Sequence, residues 1–305
     1  MGIAATLTKA FCFIGIILLG IALRRIGFFR EEDFPLLSKI VLKITLPAAI
    51  AANFANKEID PGMLSLCLLG FLGGVLYILL AFLLNAKNSR EKRAFAVMNL
   101  PSYNIGNFTL PFVQSFLGPT GVIVTSLFDA GNAVIGLGGS YSIADLVLNG
   151  GGHFSPKKIL KKLFRSLPFD VYLLMTLLSL SHIHVPAALC DFASLIGSGN
   201  AFLAMLMIGV GFHISGGGEK TALLIRLIAV RYAVALLLSL GFYFLLPFAR
   251  DVRQTLCILA LAPIGSTAPA FSSELKLDPG LSSAINSISM LCSIFCIVCA
   301  LLLVL

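Results

Sequence analysis

Tryptophan is absent from this 305-residue chain, and Asp, Glu, Lys and Arg together supply only 12% of it. So little charge excludes a soluble domain. Hydrophobic residues reach 58% with a mean hydropathy of +0.98, against roughly 45 to 50% apolar in a soluble domain. Without Trp, anchoring at the membrane-water interface falls to the six Tyr and the Lys/Arg flanks. No Gly-x-x-x-x-Gly-Lys loop is present, so a nucleotide-driven pump is excluded and the energy source must be an ion gradient, exchange or the membrane potential. Neither a Ser/His dyad nor a Gly-x-Gly-Asp pair with a second aspartate lies in the apolar runs, which argues against an intramembrane enzyme and leaves no catalytic residue to name. Cys292, Cys296 and Cys299 share one helix face, but no histidine accompanies them. They read as small apolar packing residues, so neither metal nor cofactor is expected.

What is present is a series of apolar runs. A membrane helix needs about 20 mostly apolar residues, and runs of that kind fall at 10–23, 36–55, 63–84, 93–116, 119–148, 169–187, 191–213, 220–247, 254–276 and 281–305. The fold class is therefore an all-α polytopic membrane protein of about ten transmembrane helices. A cleaved leader fits poorly at the N-terminus, because Arg24, Arg25 and Arg30 follow the first apolar run instead of preceding it. Basic residues gather there, at Lys87, Arg90, Lys92 and Arg93, and at Lys157, Lys158, Lys161, Lys162 and Arg165, while Lys57, Arg250 and Arg253 lie on the opposite side. The positive-inside rule then places both termini outside the cytoplasm. The net charge of +8 follows largely from these loops, which suit anionic lipid and not nucleic acid.

Two of the apolar runs are interrupted alike. In the fourth, Asn99-Leu-Pro-Ser-Tyr-Asn-Ile-Gly-Asn-Phe-Thr-Leu-Pro111 brings Pro and Gly to the middle of the run, and in the ninth Leu261-Ala-Pro-Ile-Gly-Ser-Thr-Ala-Pro269 does the same. Pro removes a donor and Gly loosens the chain, which frees backbone groups that cannot face lipid. The landmarks repeat: Arg90 and Arg93 return as Arg250 and Arg253, Leu100-Pro101 as Ala262-Pro263, and Gly118-Pro119 loosely as Pro279-Gly280, offsets of 160 to 162 residues. Five spans per copy force the second copy to enter the membrane from the other side. This predicts two inverted five-helix repeats, 1–148 and 169–305, joined by a basic cytoplasmic connector at 149–168, with broken helices four and nine crossing at a substrate site. Pro101, Pro111, Pro263 and Pro269 shape that crossover.

Each break exposes a helix N-terminus with a partial positive charge of roughly +0.5. Two such ends facing one cavity attract a carboxylate. Asn104, Asn107, Ser266 and Thr267 are favoured N-cap types, so each is either a cap or a ligand contact. Asp129 and Arg231 lie about 15 Å along their spans at a rise of 1.5 Å per residue. Charges at that depth need partners. Either Arg231 meets a substrate carboxylate while Asp129 carries a coupling proton, or the two form a static bridge. Asn132, one turn from Asp129, is placed to share its site. Lys39 and Lys43 read as snorkelling side chains, Glu274 as interfacial, and His153, His182, His184 and His213 as residues of connections.

These residues resemble the auxin efflux carrier family, in its bacterial branch. The resemblance rests on Leu46-Pro47 in span two, Asn104-x-Gly106-x-x-x-x-Pro111 in span four, and Pro263 followed by Pro269-Ala-Phe-Ser-Ser-Glu274 in span nine. Thr109 stands where the family pattern usually has Gly. The resemblance implies a bundle of spans three to five and eight to ten that slides, elevator-fashion, against a scaffold of spans one, two, six and seven. It also implies organic-anion cargo, typically malate or malonate in bacterial members and auxin in plants. The expected activity is secondary transport in a bacterial inner membrane, with substrate-binding candidates Asn104, Gly106, Asn107, Ser266, Thr267 and Arg231, and Asp129 with Asn132 for ion coupling. Expected partners are the anion, a coupling proton or sodium ion, membrane lipid and a second copy of the chain. A sodium-coupled carrier of bile-acid type is the alternative within the class. A membrane sensor that binds ligand without flux is the alternative outside it.

Overall fold

The computed structural model describes residues 3–150, 156–212 and 220–304. Apart from a single isolated bridge, the regular structure of these residues is helical. Among them, seven helical spans are long and apolar enough to cross a membrane: Ala4–Arg25, Phe34–Phe54, Pro61–Leu84, Gly118–Asn149, Ala187–Gly211, Thr221–Phe244 and Pro279–Val304. They correspond to the expected spans one, two, three, five, seven, eight and ten. The sixth is the shorter apolar helix Leu167–Leu180. Span one begins near Ile3 instead of residue 10, since Ile3, Ala4, Ala5 and Leu7 continue the apolar run past Thr6, Thr8 and Lys9, and span seven begins at Ala187, directly after Pro186 ends the connection. His153, His213 and the glycine run after Gly216 lie outside the described residues.

Spans four and nine are interrupted. The helices are α1 (Ile3–Arg25), α2 (Phe34–Ile40), α3 (Leu46–Phe54), α4 (Ser65–Leu84), α5 (Arg90–Asn99), α6 (Leu110–Phe116), α7 (Gly118–Val134), α8 (Ser140–Asn149), α9 (Pro156–Leu163) and α10 (Leu167–Leu180). They continue with α11 (Ala187–Ser198), α12 (Asn200–Gly211), α13 (Lys220–Phe244), α14 (Arg250–Ala260), α15 (Ala268–Glu274) and α16 (Pro279–Val304). Non-helical chain at 100–104 separates α5 from the helical turn that leads into α6, and at 261–267 it separates α14 from α15. Single π-helical turns lie at Val41–Thr45, Ile105–Thr109 and Ile135–Gly139.

Two of the π turns have the same cause. Thr45-Leu46-Pro47 and Thr109-Leu110-Pro111 each place Pro second in the following helix, where its missing N–H breaks the four-residue ladder. The preceding leucine amide then reaches back five residues, Leu46 to the Val41 carbonyl and Leu110 to the Ile105 carbonyl. Thr109 adds a side-chain bond from Oγ1 to the Asn104 carbonyl at 3.1 Å, a partner that glycine could not supply. The two turns pack against each other.

Helix pairing separates the chain into two groups. Helices α4, α5, α7, α8, α13, α14, α15 and α16 pair mainly among themselves, while α1, α3, α10, α11 and α12 form a second set, with α3 and α10 also touching α7. Close backbone approach marks both groups, as expected where lipid tails leave no hydrophobic drive between helices. A Cβ added at Gly131 of α7 would stand 1.8 Å from the Cys67 carbonyl oxygen of α4, and one at Gly70 would stand 2.0 Å from that of Phe128. In the other set, a Cβ at Gly209 of α12 would meet the Ile17 carbonyl oxygen at 2.1 Å. By contrast, a Cβ at Gly15 would have nothing within 4 Å. Gly131→Leu is therefore expected to force α4 and α7 apart and cost about 1–3 kcal/mol. Thermal unfolding in detergent should show a clear drop for Gly131→Leu and none for Gly15→Leu.

Candidate functional site

The two interruptions meet. Tyr103 and Ile264 form an antiparallel bridge, with the Asn104 amide donating to the Pro263 carbonyl at 2.8 Å and the Gly265 amide donating to the Ser102 carbonyl at 3.1 Å. The local two-fold of this bridge relates each residue to the one 161 positions on, which falls within the 160 to 162 offset of the sequence landmarks.

Helices beyond each break satisfy its outer edge. Asn132 of α7 accepts from the Tyr103 amide at 3.0 Å and donates to the Tyr103 carbonyl at 2.9 Å. On the other side Asn286 of α16 donates to the Ile264 and Gly265 carbonyls at 2.8 and 3.2 Å, and Ser289 accepts the Ile264 amide at 3.1 Å. An asparagine on the long helix following each break thus takes the place of a sheet neighbour.

Arg231 closes the back of the crossover. Its side chain is wholly buried, 0% exposed, between the rings of Tyr77 and Tyr103, whose centroids lie 4.2 and 4.3 Å from the guanidinium carbon. One terminal nitrogen donates to the Leu100 carbonyl at 2.9 Å and the other to the Ala262 carbonyl at 3.0 Å. These carbonyls lie just past the C-terminal ends of α5 and α14, where a helix carries partial negative charge and favours a cation. The expected Asp129–Arg231 bridge is not formed, and Arg231 lines neither cavity beside the crossover. Both sequence expectations for Arg231 are corrected on this point, because depth along a span does not say which way a side chain turns around it.

Two cavities flank the crossover. The smaller, about 160 Å³, is bordered by Ser102, Asn104, Gly106, Asn107, Asp129, Asn132, Tyr172, Ser266 and Thr267. The larger, about 500 Å³, shares Asn104, Asn107 and Ser266 and continues to Pro269, Ser283, Asn286, Ser287 and Met290. Apolar walls come from Leu42, Leu46 and Phe169 in the first and Phe34, Met207 and Ile208 in the second. Asp129 is the one charged residue lining either cavity among the described residues. Its Oδ1 accepts from Asn132 Nδ2 at 2.8 Å and its Oδ2 from the Tyr172 hydroxyl of α10 at 3.1 Å.

The expected capping does not occur in side chains. Asn104 stands at the start of the 105–109 turn and Thr267 at the start of α15, yet neither side chain caps its helix. Thr267 Oγ1 donates instead to the Gly136 carbonyl at 3.1 Å, and Asn107, inside the π turn, donates through Nδ2 to Ser266 Oγ at 3.2 Å. The amides opening the second half-helices are thereby left free of side-chain caps beside the cavities. Pro269 is the second residue of α15 and Pro111 the second of α6, while Pro101 and Pro263 lie within the interruptions. Lys39, Lys43 and Glu274 are exposed, and so are His182 and His184.

Sequence reasoning missed Tyr172, Ser102, Asn286 and Ser289. Tyr172 and Asn286 lie close to the starts of their apolar runs, where a polar residue reads as interfacial, so the sequence carried little signal for them.

A family model described as membrane transport protein matches residues 6–143. Over this stretch, a little under half of the chain, the protein is similar to the auxin efflux carrier family. No curated protein matches it. The auxin efflux carrier match takes in Asn104, Gly106, Asn107, Asp129 and Asn132, whereas Arg231, Ser266 and Thr267 lie beyond it. The matched family is one of membrane transport proteins, and the seven long apolar helices agree with a multi-pass membrane protein.

Arg231→Met would strip two buried carbonyls of their donor and is expected to cost about 3 kcal/mol. Arg231→Lys keeps the charge but cannot span both carbonyls, so its loss should be smaller. Melting temperatures in detergent would rank wild type above Arg231→Lys and Arg231→Lys above Arg231→Met, whether or not cargo is present.

Proposed function

We propose that this protein is a secondary transporter of small organic anions that works by alternating access, with its cargo held at the crossover. The observation that carries this reading is the hydrogen-bonded meeting of two broken helices beside two cavities, since interrupted backbone inside a membrane protein is tolerated where it lines a cavity or is buried in protein. The bridge offset of 161 residues supports two inverted five-helix repeats, 1–148 and 169–305, about a pseudo-two-fold axis. The family match, ending at residue 143, covers the first of them.

Chemistry at the site favours an anion. The half-helices that open at Ile105 and Ala268 begin beside the cavities without side-chain caps, with Asn104, Asn107, Ser266 and Thr267 around them; the Ala268 amide itself donates to the Gly265 carbonyl at 3.2 Å. Amides at a helix start bind carboxylate without any basic side chain. The larger cavity, lined by carboxamides and hydroxyls and by the apolar Phe34, Met207, Ile208 and Met290, takes the body of the cargo. Carboxylates such as malate or malonate, the cargo implied by the family resemblance, are the first compounds to test.

The grouping of helices supports an elevator movement, in which the set containing both broken helices slides against the set of α1, α3, α10, α11 and α12. With the termini outside a bacterial inner membrane, the larger cavity reaches the cytoplasmic ends of α2, α12 and α16 through Phe34, Gly211 and Pro279. That arrangement is an inward-facing one.

Purified protein should be stabilised by at least one member of a panel of mono- and dicarboxylates, and proteoliposomes should take up that compound saturably. Asn104→Ala and Asn107→Ala are each expected to raise its KM about ten-fold, the loss of one hydrogen bond to a charged group. Absence of saturable uptake for every carboxylate in the panel would reject the reading.

A further inference from the structure

Asp129 poses a charge problem that the proposed cargo site does not solve. It borders the smaller cavity, its two oxygens are met by neutral donors from Asn132 and Tyr172, and no cationic side chain lines the cavity among the described residues. The cation that depth alone would assign to it, Arg231, serves the two helix ends behind the crossover. A lone carboxylate inside a membrane protein is costly until something neutralises it.

Two further oxygens on the same cavity are unused. Asn107 Oδ1 and Ser102 Oγ are buried and have no hydrogen-bond partner, in residues 9% and 2% exposed. Asn107 spends its Nδ2 on Ser266, which leaves Oδ1 as a pure acceptor. An acceptor of that kind can ligate a metal ion, and it could equally accept from Asp129 in its acid form, so the test below separates the two. Gly106 keeps the approach open: a Cβ there would stand 3.8 Å from Asp129 Oδ2 and 3.1 Å from Leu46.

We propose that the smaller cavity binds one monovalent metal cation, held by the Asp129 carboxylate together with Asn107 Oδ1 and Ser102 Oγ. The donor set is all oxygen, which suits a hard cation, and the single carboxylate balances one positive charge where a divalent ion would leave an excess. The inference rests on the transport reading only for its consequence. Because Asn104, Asn107 and Ser266 also border the larger cavity, cation and cargo carboxylate would lie on either side of one carboxamide wall, and each would favour binding of the other.

The test uses the purified full chain without cargo, titrated with Na⁺, Li⁺ or K⁺ against choline at constant ionic strength, with melting temperature and calorimetry as readouts. At least one alkali ion should stabilise the protein saturably, Ser102→Ala should weaken its apparent affinity about ten-fold, and Asp129→Asn should abolish the response. Alkali ions that act no differently from choline would overturn the proposal, as would an unchanged response in both variants. So would stabilisation by acid alone with no dependence on the metal ion, which would make a proton the neutralising charge. If Asp129→Asn fails to fold, the affinity shift in Ser102→Ala decides. Saturable cation binding without flux of any carboxylate would remove the transport reading and leave the site standing, and carboxylate flux indifferent to alkali ions would do the reverse.

Discussion

Backbone polar groups released inside a membrane must find partners, and here the two releases find each other. Residues 100–104 and 261–267 each lack helical bonds, and the bridge between Tyr103 and Ile264 returns part of what each lost. Asn132 and Asn286 take the outer edges, and Arg231 takes the carbonyls at the helix ends. Neither broken helix is complete alone. Pulling them apart would bare several amides and carbonyls at once, each worth about 1–3 kcal/mol when buried without a partner. Any movement of one must therefore carry the other; α5, α14 and α15 lie in one set of packed helices, and α6 touches both α7 and α12.

Much of this was legible in the sequence, for a simple reason. Pro and Gly act on the chain locally, so the breaks at 99–111 and 261–269 could be read without knowing any neighbour. Apolar length is likewise a one-dimensional property, and seven long apolar helices fall on the expected runs, while α1 begins seven residues earlier than the first run and α10 ends seven residues before the sixth. Asp129 and Arg231 lie part-way along α7 and α13. The bridge offered as one alternative for them does not form, because the turn of a side chain about the helix axis depends on which helices pack alongside, as at the close approach of Gly131 to Cys67.

The π turns show the same boundary between local and tertiary information. Thr-Leu-Pro occurs at 45–47 and again at 109–111, and the loss of the Pro donor predicts disturbed bonding in both places. That the disturbance resolves into a five-residue ladder, and that the two turns then pack together beside the smaller cavity, needs the fold. Tyr172 reaches Asp129 from a helix of the other set, 43 positions away, and no spacing rule could have joined them.

The placement of the charges has a physical logic. Had Arg231 faced the cavity, a cargo carboxylate would have met a desolvated guanidinium, an arrangement that binds with high affinity but holds its ligand once bound. Turned instead to the closed side, the same guanidinium pins both helix ends and leaves the cavity walls with amides, carboxamides and hydroxyls. Such groups replace the hydration of an anion without matching its full charge. For the proposed cargo, which must load on one side of a membrane and leave on the other, contacts of that strength would serve better, and Arg231 holds the two helix ends behind them.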